Sequence, residues 1–189
     1  LVLLENNTIG LGKKKDCQNR SVVTTPTEIV KYMVDKTLSK VCDGKTPSEI
    51  LDISVADIAC GSGIFLEEAF AYLQDYCVQW YICNGQTDHL IETGIDLYKL
   101  PLQEKKDILC SCIYGIDIDI HAVEVAKFSL LIKLIEDETA PSVSEVVPIL
   151  PDLGDNIQFG NSLVSQTELN GISGANHQMM EIAPFDWST

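Results

Sequence analysis

The sequence predicts an α/β fold in which parallel strands alternate with helices. Three strand candidates, at residues 54–59, 112–117 and 157–159, are separated by amphipathic helices. Parallel strands with right-handed crossovers are the expected solution for that order. A cluster of glycine and polar residues follows each strand, which is where ligands bind in such sheets. The 189 residues, 46% of them hydrophobic, are enough for one domain with a packed core.

Before the first strand, the sequence predicts a lead-in segment and one helix. Residues 1–23 are polar and carry a basic run at 13–15, which is typical of a solvated segment. The helix should begin at Thr25, whose side chain can cap it, with Pro26 in the first helical position and Glu28 closing a capping box. Apolar residues then recur at helical spacing: Ile29, Val30, Met33, Val34, Leu38 and Val41.

The middle of the chain continues with a strand, a turn and a helix. Residues 54–59 form a buried-strand pattern that runs into the tight turn at 60–63, and an amphipathic helix follows near 65–80. Residues 84–112 should hold two shorter helices, the second at 103–112.

The last part of the chain repeats the same alternation. The strand at 112–117 leads to a strongly apolar helix near 122–135. The stretch 138–156 contains three prolines and should be a long loop, and a short strand follows at 157–159. The tail at 166–189 is rich in Asn, Gln, Ser and Gly.

Composition restricts the partners and the compartment. With 28 acidic against 13 basic side chains the net charge is −15, whereas nucleic-acid-binding modules are usually basic, so DNA contacts are expected from other parts of a longer protein. No apolar stretch is long enough for a transmembrane helix. Seven cysteines without a CxxC pair favour neither a metal site nor disulfides and indicate the reduced thiols of a cytoplasmic protein. The absence of an initiator Met suggests a piece of something longer.

The turn after the first strand carries two glycines, Gly61 and Gly63, on either side of Ser62. Glycine tolerates positive φ and lets a ligand approach the backbone closely, although a single such turn by itself favours an ordinary strand-to-helix connection. The third glycine of the dinucleotide fingerprint and the Gly-Lys-Ser/Thr of a P-loop are both missing, which argues against phosphate binding.

Three polar residues at the strand ends match the parts of one ligand. Asp57 lies inside an apolar run and needs a partner, either a ligand ammonium or backbone amides of the turn. Asp117 can accept both hydroxyls of a ribose, whereas Asp119 suits the N-terminus of the following helix. Asn161 offers a donor and an acceptor to an adenine edge, although alone such a residue is more often part of a turn. S-adenosylmethionine contains an ammonium, a ribose and an adenine but no polyphosphate.

Four stretches resemble the motifs of adenine-N6 DNA methyltransferases. Residues 57–66, Asp-Ile-Ala-Cys-Gly-Ser-Gly-Ile-Phe-Leu, closely resemble the cofactor motif of that family. Residues 24–30 resemble the Thr-Pro element before it, with Thr24 in place of the usual aromatic. Residues 114–119 and 160–163 resemble the second-strand and third-strand motifs, the latter in the form found in fused type IIG restriction–modification enzymes. The four occur in the order of the family.

The resemblance implies a Rossmann-like S-adenosylmethionine-dependent methyltransferase fold, truncated to its first three parallel strands with flanking helices. It divides the chain into a lead-in at 1–23, a cofactor-binding part at 24–165 and a polar tail at 166–189. The implied cofactor-binding residues are Thr25, Asp57, Ala59, Gly61, Ser62 and Gly63 around the methionine end, with Cys60 in the same motif, Asp117 at the ribose, Ile118 packed on adenine, and Asn161 at the adenine amino group.

The catalytic motif of the family, Asn-Pro-Pro followed by an aromatic, occurs nowhere in the 189 residues. In the family that motif holds the flipped adenine and orients its amino group for attack on the sulfonium methyl. We therefore expect the cofactor-binding front part of a larger enzyme from a restriction–modification or phage-defence system. The chain itself should bind S-adenosylmethionine without methylating DNA.

Two other interpretations remain open. A non-catalytic nucleotide-sensing or interaction module could use the same fold. A nicotinamide-dependent dehydrogenase is disfavoured because 54 positions separate Gly63 from Asp117, against roughly 20 between turn and acid in that fingerprint. Since the truncated sheet would expose its first strand as an edge, a homodimer of the chain is also expected.

Overall fold

The computed structural model describes residues 2–3, 9–10, 24–139, 146–165 and 183–187. Most of the lead-in and residues 166–182 of the predicted tail lie outside the described residues. Two short strands of the lead-in, β1 (Val2–Leu3) and β2 (Ile9–Gly10), pair antiparallel. From residue 24 onward the elements are α1 (Thr27–Cys42), α2 (Pro47–Ile50), β3 (Val55–Asp57), α3 (Ile64–Cys83), a 3₁₀ turn (Thr87–His89), β4 (Ile91–Gly94), β5 (Leu97–Lys99), α4 (Leu102–Cys112), β6 (Ile113–Asp117), α5 (Ile120–Ile135) and β7 (Ile157–Phe159).

A three-stranded parallel sheet forms the centre of the fold. Its strand order is β3-β6-β7, with Val55 opposite Ile113 and Gly115 opposite Ile157. The α/β prediction with three parallel strands is confirmed, but the first strand covers only Val55–Asp57 and is half-exposed rather than buried. Within the described part of the chain β3 has a hydrogen-bonded neighbour on one side only, which is the edge position predicted for the first strand.

One face of the sheet packs against the helices. Gly115 in β6 lies against α3 so closely that a Cβ there would come within 2.7 Å of Leu66 Cδ1. Helix α3 contacts β3 and β6, α5 contacts β6 and β7, and α1 packs along α3. The core on this face is built from buried apolar residues, among them Leu66, Ala69, Phe70, Leu73, Ile113, Val123, Leu130 and Ile157. None of the helices in the described stretches is both long and apolar enough to cross a membrane.

The opposite face of the sheet carries a cavity of about 330 Å³. Ala56, Tyr114 and Gln158 line it from the three strands, and the segment 183–187 borders it. Parallel sheets are usually covered on both faces, so this face is a surface on which further protein can pack.

The predicted first short helix of residues 84–112 is wrong. After the 3₁₀ turn, β4 and β5 form an antiparallel hairpin in which Glu92 pairs with Tyr98. Ile91, Thr93 and Tyr98 are residue types that favour strands, and Asp96 adopts the positive φ of 56° that the connecting turn needs. The second predicted helix is confirmed as α4.

The predicted capping box at Thr25 is also wrong. Helix α1 begins at Thr27 with Pro26 as its N-cap, and no side chain caps it. Pro26 keeps an extended backbone (ψ 140°), and its carbonyl oxygen accepts the N–H groups of Ile29 and Val30. Because the helix starts one residue later than predicted, Thr25 lies outside the capping position. A capping box is present instead at the start of α2, between Thr46 and Glu49.

Candidate functional site

The three polar clusters predicted from the sequence meet at the carboxyl edge of the sheet. The Gly61 N–H donates to Asp117 Oδ2 (2.8 Å), which joins the first cluster to the second. The Gly160 N–H donates to the Asp117 carbonyl oxygen (3.0 Å), which joins the third cluster to the second. Ser162 Oγ donates to the Ile58 carbonyl oxygen (2.8 Å) and joins the third cluster to the first. The ends of the strands therefore form one hydrogen-bonded unit.

Both glycines of the turn at 60–63 have left-handed backbones, with φ 54° at Gly61 and 90° at Gly63. Gly63 packs against α5, where a Cβ would lie 3.0 Å from Ala126 Cβ. At Gly61 an added Cβ would meet nothing within 4 Å. Only glycine reaches such φ values without strain, and the turn leaves open space beside Gly61 in which a ligand can approach the backbone. Ala59 and Ser62 are exposed on the same turn.

Asp117 is half-buried at the end of β6 and organises its surroundings through both carboxylate oxygens. Oδ1 accepts the Asp119 N–H (2.8 Å) and Oδ2 accepts the Gly61 N–H. A carboxylate offers about four lone-pair sites, so one remains on each oxygen for a pair of vicinal hydroxyls. Ile118, the next residue, is 56% exposed and presents an apolar side chain beside this carboxylate. Asp119 caps α5 through the His121 N–H (3.0 Å), as its position predicted.

Asp57 supplies a second carboxylate at the end of β3. It is half-buried, and its Oδ1 accepts the Ala59 N–H (3.1 Å), so a backbone amide of the turn serves as one partner. Burial, followed by the charges of Asp117 and Asp57, raises the pKa of the Cys60 thiol to about 12. Cys60 is thus a neutral, buried thiol, and the two carboxylates create a negative potential that favours a cationic ligand group.

Asn161 is fixed in a turn after β7. Its N–H donates to the Ala183 carbonyl oxygen (2.6 Å), and its Oδ1 accepts the Leu163 N–H (3.1 Å). That bond identifies Oδ1 as the acceptor end of the amide, and the oxygen keeps a second lone pair for a ligand donor. Asn161 therefore has the turn role that the sequence allowed and retains the capacity to contact an adenine.

Thr25 differs from the other predicted residues because the hydrogen bonds that join the three clusters do not include it. It is half-buried just before α1. Residues of α1, including Met33 and Val34, line a cleft of about 370 Å³ together with Asp57 and Ile58. Helix α1 thus borders the first cluster, and the role of Thr25 in binding stays a prediction.

Sequence reasoning missed two groups of residues that support the site. Ala126 on α5 and Leu66 on α3 leave room only for glycine at Gly63 and Gly115, and helix periodicity predicts such residues as core without showing what they face. Phe185 and Trp187 contact the turn after β7. The only signal for them was a pair of aromatic residues in an otherwise polar tail.

In the described stretches no group of three or more His, Cys, Asp or Glu side chains is arranged to hold a metal ion. The described cysteines are free thiols. Burial raises the pKa of Cys77 to about 12 and of Cys112 to about 11, so these thiols are neutral as well.

Comparison with known proteins agrees with the geometry of the strand ends. Residues 39–173 match the family model described as MmeI, DNA-methyltransferase domain. The chain is 42% identical over 182 residues to the type II restriction enzyme and methyltransferase RM.Eco57I of Escherichia coli, covering 96% of this chain and 18% of that protein. It is 34% identical over 122 residues to the putative type II restriction enzyme and methyltransferase RM.MjaORFECS2P of Methanocaldococcus jannaschii, covering 65% of this chain and 9% of that protein. The chain thus spans less than a fifth of the length of either relative.

Proposed function

Because the chain belongs to the family of the MmeI DNA-methyltransferase domain, we propose that it is the S-adenosylmethionine-binding part of a DNA methyltransferase that modifies the N6 amino group of adenine. Both curated relatives combine a type II restriction enzyme with a methyltransferase. The parent protein accordingly belongs to a restriction–modification or related phage-defence system and works on DNA in the cytoplasm. It contacts DNA through other parts, since this chain carries a net charge of −15.

The methionine end of the cofactor lies against the turn at 60–63. Asp57 accepts the ammonium group, and the negative potential of Asp57 and Asp117 favours the positive sulfonium. Ala59, Gly61, Ser62 and Gly63 form the backbone surface beside it, and Thr25 approaches from the start of α1. Cys60 packs behind the turn, at 4% exposure, and supports its shape.

The ribose and the adenine are held by the other two clusters. Asp117 accepts both ribose hydroxyls with the lone pairs left free by Gly61 and Asp119. Ile118 packs on one side of the adenine ring. Asn161 Oδ1 accepts a hydrogen bond from the adenine 6-amino group, which distinguishes adenine from a purine with a carbonyl oxygen at that position.

The single observation that carries this proposal is the hydrogen bond between the Gly61 N–H and Asp117 Oδ2. It joins the glycine turn to the acid at the end of the next strand, so that one bound molecule can contact both. Methyl transfer itself needs a group that orients the target amine. The Asn-Pro-Pro-aromatic motif that does so in the resembling family does not occur in these 189 residues.

Two assays test the proposal. Calorimetric titration of the 189-residue chain with S-adenosylmethionine should give one site per chain, and a tritium-transfer assay on mixed-sequence DNA should give no incorporation. Absence of binding by the folded chain would contradict the cofactor site. Clear methylation of DNA by the purified chain would contradict the proposal that methyl transfer needs residues of the parent protein outside this chain.

A further inference from the structure

A five-residue segment, 183–187, lies alongside the turn after β7. The Asn161 N–H donates to the Ala183 carbonyl oxygen (2.6 Å), and Asn161 and Pro184 pair as neighbours in a parallel sheet do. The Phe185 N–H donates to the Val164 carbonyl oxygen (2.9 Å). The indole Nε1–H of Trp187 donates to the Ser162 carbonyl oxygen (3.2 Å). The segment therefore contacts the turn through both backbone and side chain.

Gly160 is shaped to receive this segment. A Cβ on Gly160 would lie 2.9 Å from Phe185 Cδ2, closer than real Cβ atoms come to a neighbour, and in tight contact with Phe185 Cβ at 3.1 Å. The Phe185 and Trp187 rings meet edge to face with centroids 5.1 Å apart, which is a favourable aromatic geometry. The glycine of the third cluster thus provides the close approach that Phe185 requires.

The turn that the segment holds is the one that links the three clusters of the site. Ser162, whose carbonyl oxygen accepts the indole N–H, also donates its hydroxyl to Ile58 in the first cluster. Gly160 donates to Asp117 in the second cluster. Trp187 is 57% exposed, so burial of its ring contributes little, and its directed contact is the hydrogen bond to Ser162.

We propose that Trp187 is a positioning residue for the adenine of the cofactor. Through Ser162 it fixes the turn that carries Asn161, so that the free lone pair of Asn161 Oδ1 points at the 6-amino group. The inference rests on the proposed function, because it assigns the adenine to Asn161. Trp187 lies outside the four motifs, and the inference makes it one of the residues that determine which base the site accepts.

The test compares two single substitutions. Trp187→Phe keeps an aromatic ring and removes the indole N–H. Trp80→Phe is the matched control, because Trp80 lies in the last turn of α3, roughly 24 Å along the helix axis from its N-terminus. Each chain is titrated with S-adenosylhomocysteine and with S-inosylhomocysteine, which carries a carbonyl oxygen in place of the 6-amino group. The free energy of unfolding in urea is measured in parallel.

We expect the wild-type chain and Trp80→Phe to prefer the adenine ligand equally. In Trp187→Phe the ratio of the two affinities should fall roughly fivefold, which is the effect of one hydrogen bond. The free energy of unfolding should change little. If part of a variant is unfolded, its apparent affinity falls by the same factor for both ligands, so the ratio of the two dissociation constants does not change. Unchanged preference in Trp187→Phe, whether or not both affinities fall, would overturn the inference. Failure of the folded wild-type chain to bind either ligand would instead refute the proposed function.

Discussion

Replacing Asp117 by alanine should weaken cofactor binding strongly while leaving the chain folded. In the free chain its two carboxylate oxygens accept the N–H groups of Gly61 and Asp119 at 2.8 Å each. In the proposed complex with S-adenosylmethionine the remaining lone pairs would accept the ribose hydroxyls. A hydrogen bond to a charged group contributes about 1.5–3 kcal/mol, so loss of even one such bond predicts affinity lower by roughly 10- to 150-fold. The site is half-buried, and water can replace the two backbone contacts.

Asp119→Ala is the matched control for this prediction. Asp119 caps α5 through the His121 N–H, and loss of such a cap lowers the free energy of unfolding by about 0.5–2 kcal/mol. Its effect should therefore appear in stability and hardly in affinity. Calorimetric titration with S-adenosylhomocysteine and urea denaturation separate the two quantities for wild type and both variants. Equal dissociation constants for wild type and Asp117→Ala, with both chains folded, would remove Asp117 from the site.

Three further predictions follow from packing, burial and the exposed strand. Gly63→Ala should lower the free energy of unfolding by about 1–3 kcal/mol more than the control Gly85→Ala. Both glycines have positive φ, but an added Cβ would meet Ala126 Cβ at 3.0 Å at Gly63 and nothing within 4 Å at Gly85. Equal losses of stability in urea would contradict the close packing of the turn on α5. Burial raises the pKa of the thiols of Cys60 and Cys77 from 9.0 to about 12, so their contribution to stability is complete below pH 9 and is lost as the pH rises toward 12. The urea midpoint should fall over that range, and a flat profile would show that these thiols are not buried in the folded chain. Among the described residues β3 pairs on one side only, and none of the helices covers the face that carries Ala56, so the isolated chain should form a homodimer. Light scattering at several concentrations would refute this by finding a strictly monomeric species.

The order of strands and helices was predictable because each central element has a local signal. The apolar stretches that contain β3 and β6, together with the glycine turn between β3 and α3, predict a parallel α/β arrangement. From that arrangement it follows that residues after each strand meet at one edge, which is where Asp57, Asp117 and Asn161 lie. Topology, rather than local propensity, brings together residues as far apart as Gly61 and Asp117.

Other features depended on interactions that the sequence does not reveal. The hairpin of β4 and β5 lies between two helices, and its strands are only four and three residues long, too short for a periodicity to distinguish them from a helix. Helix α1 begins one residue later than predicted because the carbonyl oxygen of Pro26, rather than the side chain of Thr25, accepts hydrogen bonds from the first N–H groups of the helix. The contact of Trp187 with Ser162 spans 25 residues and has no sequence signature of its own.

Amide hydrogen exchange of the 189-residue chain, with and without saturating S-adenosylmethionine, tests the central claim most directly. The claim is that one cofactor molecule contacts the ends of three strands at once. It predicts slower exchange on binding in all three clusters, at residues 57–63, 117–119 and 160–163, and little change in the hairpin at 91–99. Binding that protects only one of the three clusters, or that protects the hairpin at 91–99 instead of the clusters, would contradict it.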